Sequence, residues 1–182
     1  MSNLALADRY IGFDEFMAGE EDPFTELYDG EEWRMAPPSD RHQKISMMLS
    51  IEIGLFLKGK PEQVRSAPYG VQLFPDEDTV VLPDLVVIKD PGKIDRHGCT
   101  GAPDLVVEIL SPSNASHDSI EKYALYERAG VPEYWIVDPD QEIVYVALLQ
   151  GERYEVTKYK DGADVPVAVV PGLVIHSAEL WK

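Results

Sequence analysis

Two acidic residues, Asp84 and Glu108, lie within apolar segments of the chain and are well suited to bind a cation. The run Pro-Asp-Leu-Val-Val occurs at 83–87 and again at 103–107, and the second copy continues into Glu108. An ionised carboxylate in a buried strand is costly unless it is paired or binds a cation. We therefore interpret Asp84 and Glu108 as candidate metal ligands. The alternative is a strand-end cap and a hydrogen-bonded buried acid.

The relative direction of the two strands follows from the segment that joins them. Residues 89–103 are rich in Gly and Pro, which predicts no crossover helix. Neighbouring strands without a crossover run antiparallel, so Asp84 should face Glu108 with Cβ atoms about 5 Å apart. Asp104 is about 13 Å from Glu108 along its strand and belongs to the far end of the sheet. Turn capping is its favoured role, and it remains a secondary candidate.

A lysine follows on the next predicted helix. Asp118, Lys122 and Tyr126 have the i, i+4, i+8 spacing of one helical stripe. The connection from the strand of Glu108 is short, so this stripe can lean over the strand end and place an ammonium near the carboxylates. Two carboxylates, a lysine and an open position for water predict a hydrolytic metal site. The alternatives are a surface Asp118–Lys122 pair and a packing role for Tyr126.

The first long helix offers two further polar groups. It is predicted from Asp40 to about Lys58, after Ser39 as N-cap. Its apolar stripe consists of Ile45, Leu49, Ile53, Phe56 and Leu57. His42 lies on this stripe, as a hydrogen-bonded core histidine or as part of the site, and Glu52 lies on its flank.

The remaining pattern predicts an α/β or α+β fold, with a sheet covered by helices. The predicted helices are 13–18 and 117–129, in addition to the long one. The predicted extended segments are 26–28, 32–35, 64–74, 82–88, 104–110, 133–137, 143–149, 154–159 and a strand with a terminal turn within 165–180. We expect one domain over 1–182, with an N-terminal helix and hairpin extension (1–36), a core (37–138) and a C-terminal hairpin and tail (139–182).

Composition limits the function classes. The 182 residues carry a formal net charge of −17, which repels phosphate backbones at long range. The sequence has no apolar run long enough for a membrane span and no signal-peptide pattern, so we expect a cytoplasmic protein. The single cysteine, Cys99, excludes an internal disulfide, and a bystander thiol is its favoured role.

Several motifs, taken in order, resemble a known family. They are Glu-Leu-Tyr-Asp-Gly-Glu at 26–31, Pro-Pro-Ser at 37–39 with His42, Pro-Asp-Leu-Val-Val at 83–87, Pro-Asp-Leu-Val-Val-Glu-Ile-Leu-Ser-Pro-Ser at 103–113, Asp118 with Lys122, Gly-Val-Pro-Glu-Tyr-Trp at 130–135 and Asp-Pro at 138–139. Over most of its length the chain resembles the bacterial restriction-endonuclease-like proteins of the PD-(D/E)XK nuclease superfamily.

This resemblance implies a restriction-endonuclease-like core, in which a central mixed β-sheet is flanked by helices. It implies that Asp84, Glu108 and the main-chain carbonyl of Ile109 hold Mg²⁺ or Mn²⁺. The superfamily places a lysine two residues after the second acid, where this chain has Leu110. In the resembling family that lysine comes from the following helix instead, which implies that Lys122 takes its role here. The first helix often adds a polar group, for which His42 and Glu52 are the candidates.

Two functions follow as expectations. The first is metal-dependent hydrolysis of DNA phosphodiester bonds by an endonuclease, with a homodimer expected because double-strand cleavage needs two centres. The second is a catalytically inactive binding module on the same fold. Leu110 in place of lysine, the acidic charge and two hairpin tyrosines expected to be exposed, Tyr145 and Tyr154, favour the second.

Overall fold

The computed structural model describes residues 4–5, 9–19, 24–111 and 118–182. The helices of this part are α1 Phe13–Ala18, α2 Asp40–Leu57, α3 Asp118–Ala129 and α4 Ser177–Leu180. Its strands are β1 Leu4–Ala5, β2 Thr25–Tyr28, β3 Glu31–Arg34, β4 Gln63–Ser66, β5 Val71–Gln72, β6 Val80–Val81, β7 Leu85–Ile88, β8 Cys99–Thr100, β9 Leu105–Ile109, β10 Glu133–Asp138, β11 Ile143–Gln150, β12 Arg153–Tyr159, β13 Asp164–Pro166 and β14 Val174–His176. The predicted start of α3 at His117 lies outside the described residues.

The central sheet has six strands in the order β12-β11-β10-β9-β7-β4. β9 and β10 are parallel and are joined through α3, the kind of crossover that a parallel pair requires. All other neighbours in this sheet are antiparallel. The predicted central mixed sheet flanked by helices is therefore confirmed.

The two faces of the central sheet bury separate apolar clusters, because successive side chains of a strand point to opposite faces. Leu85 and Val87 of β7 pack with the apolar face of α2, whereas Val86 and Ile88 pack on the side of α3. Most side chains of both clusters are fully buried, so close packing holds β7 and β9 between the two helices. The ends of these strands are thus fixed in position.

The N-cap and the stripe of α2 follow the prediction. The Ser39 hydroxyl accepts a hydrogen bond from the His42 main-chain N–H, which satisfies a free donor in the first turn. The buried residues of α2 are His42, Ile45, Leu49, Ile53 and Leu57. His42 therefore stands at the beginning of the buried face, in the first turn.

A second sheet, in the order β1-β3-β2-β6-β5-β8, is built from the N-terminal hairpin and the loops around β7. The hairpin turns at Asp29-Gly30, as predicted, with positive φ at both residues. β2 pairs with β6, which ties the N-terminal 1–36 segment to the chain immediately before β7. This pairing brings β2 beside the end of the central sheet.

Two predicted strands are wrong in extent. The segment 64–74 forms β4 in the central sheet and β5 in the second sheet, because Pro68 between them has no N–H for a continuous ladder. The segment 82–88 begins its strand only at Leu85, since Pro83 likewise cannot donate. The tail also differs, because 165–180 contains β14 paired with β13 and then α4.

Candidate active site

The register of β7 and β9 places Asp84 and Glu108 at the same end of the strand pair. Leu85 pairs with Val107 in an antiparallel ladder, and Asp84 and Glu108 are the next residues outward. The Ile109 main-chain N–H donates a hydrogen bond of 2.7 Å to Asp84 Oδ2, so the Asp84 carboxylate reaches the end of β9. The predicted antiparallel pairing is confirmed, and it brings the two acids together.

Asp84 is held from two sides. In addition to the Ile109 N–H, His42 Nε2 lies 3.0 Å from Asp84 Oδ2 and donates to the carboxylate when that nitrogen carries the proton. Burial lowers the pKa of His42, but the hydrogen bond to Asp84 and the charge of Asp84 outweigh it and raise the pKa above its ordinary value. The structure therefore brings His42 to the site, as an orienting partner of Asp84.

Glu108 is held by α3. Lys122 Nζ donates to Glu108 Oε1 at 3.0 Å, and the Tyr126 hydroxyl donates to the same oxygen at 2.7 Å. Lys122 and Tyr126 lie four residues apart on one side of α3, as the helical spacing predicted. Tyr126 is fully buried and combines packing with a polar contact to the site.

Sequence reasoning missed Glu26, which is the most deeply buried acid of the site. The Glu26 side chain is 0% exposed. Its Oε1 accepts from Lys122 Nζ at 3.0 Å and from the Leu82 N–H at 2.8 Å, while Oε2 accepts from the Tyr28 hydroxyl at 2.8 Å. Glu26 stands within the Glu-Leu-Tyr-Asp-Gly-Glu motif. The signal that could have identified Glu26 is the same as for Asp84: a single acidic residue in a short, largely apolar segment.

The cluster of Asp84, Glu108, Glu26 and Lys122 contains more acidic than basic groups. Burial, and then the charges of Asp84 and Glu26, raise the pKa of Glu108 from 4.5 to about 7, although Lys122 opposes this. Burial alone would lower the pKa of Lys122, but the charges of Glu108 and Glu26 hold it well above its ordinary value. One ammonium thus neutralises only part of the surrounding carboxylate charge, and an added cation would be stabilised here.

The donors at this strand end fit a hard divalent cation. The N–H and C=O of a strand residue point to the same edge, so the Ile109 carbonyl faces the side on which its N–H meets Asp84. Mg²⁺ is commonly held by one or two carboxylates while it keeps several waters. Among the described residues no group of three His, Cys, Asp or Glu side chains could hold a metal. Asp84 and Glu108, with the Ile109 carbonyl, are the groups at this strand end that could hold such a cation.

Two secondary candidates lie away from the cluster. Asp104 Oδ2 accepts from the Lys89 N–H at 2.8 Å, which places it at the opposite end of the β7–β9 pair. Glu52 is about 15 Å along α2 from His42. Burial raises the pKa of Glu52, and its charged neighbours are His176 and Glu179. The side chain of Asp118 and the residues Pro112 and Ser113 are outside the described part of the chain.

The position that the superfamily gives to lysine has a structural role here. Leu110 follows β9, and its N–H donates to the Val137 carbonyl at 2.8 Å. Lys122 supplies the ammonium from α3 instead. The prediction that both hairpin tyrosines are exposed is wrong for Tyr154, which is 8% exposed and donates its hydroxyl to the Val131 carbonyl. Tyr145 is half-buried.

The mixed sheet and the carboxylate–lysine cluster define a restriction-endonuclease-like protein. The Uma2 family model, described as "Putative restriction endonuclease", matches residues 13–178. The chain therefore belongs to this family and is nuclease-like.

Two individual proteins are similar to the chain. A protein from Anabaena variabilis ATCC 29413, described as "a putative nuclease belonging to DUF820", has a crystal structure that matches with a TM-score of 0.76 and 24% identity, over 94% of this chain and 97% of that one. This likeness shows a shared fold. The "Uncharacterized protein slr1290" of Synechocystis sp. (strain ATCC 27184 / PCC 6803 / Kazusa) is 31% identical over 101 residues, 56% of this chain. The match spans about half of that relative, 53% of its length.

No helix within the described segments combines the length and the apolar content that crossing a bilayer requires.

Proposed function

We propose that the protein is a metal-dependent endonuclease that hydrolyses DNA phosphodiester bonds. The observation that carries this proposal is the meeting of Asp84 and Glu108 at one end of β7 and β9, with Lys122 Nζ 3.0 Å from Glu108 Oε1. Membership of the Uma2 family supports a nuclease-like chemistry for this cluster. A phosphodiester is the substrate class that such a set of groups suits.

Asp84, Glu108 and the Ile109 carbonyl would hold Mg²⁺ or Mn²⁺. When bound, the metal would polarise a phosphate oxygen and lower the pKa of a coordinated water. His42 and the Ile109 N–H fix the Asp84 carboxylate through Oδ2, while Tyr126 and Lys122 fix Glu108 through Oε1. These contacts set the orientation of both acids before substrate arrives.

Lys122 provides the positive charge for the reacting phosphate. It is 8% exposed and stays protonated, because Glu108 and Glu26 raise its pKa. Its ammonium can orient a water or stabilise negative charge that develops on the phosphate oxygens. Glu26 acts on Lys122 rather than on substrate, since Oε1 of this buried acid holds the ammonium in place.

The experiment is cleavage of supercoiled plasmid and of linear duplex DNA with Mg²⁺, with Mn²⁺ and with EDTA. The wild-type protein should nick or linearise DNA only with metal. Glu108→Gln should reduce the rate at least about 100-fold, the scale expected for loss of a charged group that acts on the transition state. Glu155→Gln, an exposed position on β12, is the matched control and should cleave normally. Equal cleavage by Glu108→Gln and wild type would overturn the proposal.

The negative net charge of the protein affects how it should bind DNA. With a net charge of −17, the protein should bind DNA weakly without metal, and binding should tighten as the divalent metal concentration rises.

We propose that two copies act on a duplex in the cytoplasm, because one centre cuts one strand. Sedimentation of the protein with a short duplex should show two chains per DNA. A one-to-one complex that produces only nicks would contradict this stoichiometry.

A binding module on the same fold is the second candidate, and Leu110 in place of lysine favours it. The module predicts no cleavage and no binding of Mn²⁺ at millimolar concentration in calorimetric titration. Buried Tyr154 removes one of the two aromatic groups that had suggested a docking hairpin.

A further inference from the structure

The outer face of α2 carries an apolar stripe that no element of the described residues covers. Met47, Ile51 and Leu55 follow one another at intervals of four residues, and they are 60%, 51% and 68% exposed. Each follows a buried residue of the inner face by two positions, and two residues turn an α-helix by about 200°. The stripe therefore points away from the central sheet, and no residue of the catalytic cluster belongs to it.

A helix that is apolar on two opposite faces is normally buried on both of them. In α2 the inner face is buried against the central sheet, whereas the outer face is open to solvent. Single exposed apolar side chains are ordinary on a protein surface, but a contiguous group of them marks an interaction site. The single chain therefore lacks the partner that would cover the outer face of α2.

The segment that leads into β14 runs beside α2 and adds a fourth exposed apolar side chain. A Cβ on Gly172 would lie 3.6 Å from the ring of Phe56, and His176 is a charged neighbour of Glu52. Val174, midway between these two contacts, is 39% exposed. We call the stripe together with Val174 the α2 face. It contains four of the seven large apolar side chains that are exposed among the described residues, so they are clustered and not scattered.

The charges around the α2 face allow a second copy of this acidic chain to approach. The whole chain has 33 acidic and 16 basic residues, so two copies repel each other over much of their surface. Residues 40–60 instead contain four basic and two acidic residues, so this strong negative charge is absent here. Exposed Lys44 and Lys58 bound the stripe at its two ends, which gives an apolar centre a polar rim, as in protein–protein interfaces.

The spacing of the stripe predicts how two α2 helices would pack. Met47, Ile51 and Leu55 form one ridge of residues four apart, and such ridges on two helices interdigitate when the helices cross at about 50°. A two-fold axis through the crossing point places Ile51 against Ile51 of the partner subunit, with the other two side chains on either side. The helix ends then splay apart, which separates Lys44 and Lys58 from the same residues of the other copy.

We propose that the α2 face binds the α2 face of a second copy, in a two-fold symmetric dimer whose α2 helices cross at Ile51. The relative direction of the helices rests on the function proposed above. His42, in the first turn of α2, contacts Asp84, so the N-terminal end of α2 marks the catalytic end of the molecule. Helices that cross near parallel bring both catalytic ends to one side, where one duplex can contact both. An antiparallel crossing would turn them away from each other.

Sedimentation velocity without DNA, in EDTA and from low to high micromolar protein, tests the interface. The wild-type protein should form dimers, and Ile51→Glu should weaken self-association at least about 100-fold, because two added carboxylates meet at the crossing point. Val156→Glu is the matched control, since Val156 on β12 is 52% exposed, and it should dimerise normally. Circular dichroism should show the native fold in both variants. Monomers of the wild type at every concentration would overturn the second copy and leave the α2 face to a different partner.

Disulfide cross-linking with copper phenanthroline in air tests the direction of the helices. In the near-parallel dimer Met47→Cys and Leu55→Cys should each cross-link alone, because each position lies near its own copy in the partner. Cross-linking only in the variant that combines both changes would show an antiparallel crossing and overturn the direction. The native Cys99 is 2% exposed and should not react, and Val156→Cys is the control for chance collisions. No cross-linking in any α2 variant would overturn the interface.

Plasmid cleavage by the same preparations separates the dimer from the proposed endonuclease. Ile51→Glu leaves the catalytic cluster intact, so it should still nick plasmid with Mg²⁺ but should lose concerted linearisation. Dimers that depend on Ile51, without cleavage under any metal condition, would remove the endonuclease and leave the dimer. Concerted linearisation that is equal in Ile51→Glu and wild type would remove the dimer and leave the endonuclease.

Discussion

Lys122 Nζ and Glu108 Oε1 lie 3.0 Å apart, although the two residues are separated by 14 positions and belong to α3 and β9. In the resembling superfamily the lysine follows the second acid by two residues on the same strand, where this chain has Leu110. The helix crossover that makes β9 and β10 parallel returns Lys122 to the end of β9. An ammonium therefore reaches the second acid from α3, although position 110 is leucine.

Asp84→Asn should abolish divalent metal binding, because the amide is a weaker and uncharged ligand. Asp104→Asn is the matched control, since it alters the twin Pro-Asp-Leu-Val-Val motif at the other end of the strand pair. Isothermal titration with Mn²⁺ should show binding in wild type and Asp104→Asn only. Equal binding in Asp84→Asn and wild type would exclude Asp84 as a ligand.

The pH dependence should report the Glu108 carboxyl, whose pKa is raised from 4.5 to about 7. Between these values the folded protein holds a proton that the unfolded chain releases, so in EDTA this group's contribution to stability is lost as pH rises. The cleavage rate should instead rise with pH through this range, because metal requires the carboxylate.

More Mg²⁺ should move the acid limb of the rate profile to lower pH, since metal and proton compete for Glu108. Thermal melts in EDTA and rate profiles at two Mg²⁺ concentrations test both statements. A limb that does not move with Mg²⁺ would show that another group controls it. In Glu108→Gln the corresponding change in melting temperature should disappear.

Lys122→Met should destabilise the protein by about 3–5 kcal/mol, because Glu26 and Glu108 lose the ammonium that both contact. Cleavage should fall as well. Glu26→Gln combined with Lys122→Met should recover part of the lost stability but not the activity. Urea unfolding measures the first effect, with Lys158→Met on exposed β12 as the control. Additive losses in the double variant would contradict the coupling.

His42→Phe should weaken metal binding by about 10–100-fold, as removal of an orienting partner of a metal ligand does. The Asp84 carboxylate keeps its bond to the Ile109 N–H but loses its second support. Ser39→Ala is the control, because it removes the cap that holds the same helix turn and should cost only about 1 kcal/mol of stability. Titration with Mn²⁺ that is unchanged in His42→Phe would exclude this orienting role.

The strands and the paired acids were predictable where the signal is local. The joining segment 89–103 has too many Gly and Pro residues for a helix, so β7 and β9 had to be antiparallel, and the opposition of Asp84 and Glu108 followed from period-two geometry. The strand 64–74 was predicted too long, because its apolar pattern continues although Pro68 ends the ladder. Tyr154 was expected to be exposed, because the sequence pattern of the β11–β12 hairpin does not show which of its two faces α3 covers.

The two acids, the helix that carries Lys122 and the direction of the two neighbouring strands could be read from the amino-acid pattern, because they depend on short connections and on side-chain periods. The folded structure was needed to show that Glu26, 96 positions before Lys122, shares its ammonium. The folded structure also brings Thr25 and the loop 95–98 to the lining of one cavity. These relationships arise from the pairing of β2 with β6 and the packing of α3 on the sheet, and contacts between segments so distant leave no periodic trace in the chain.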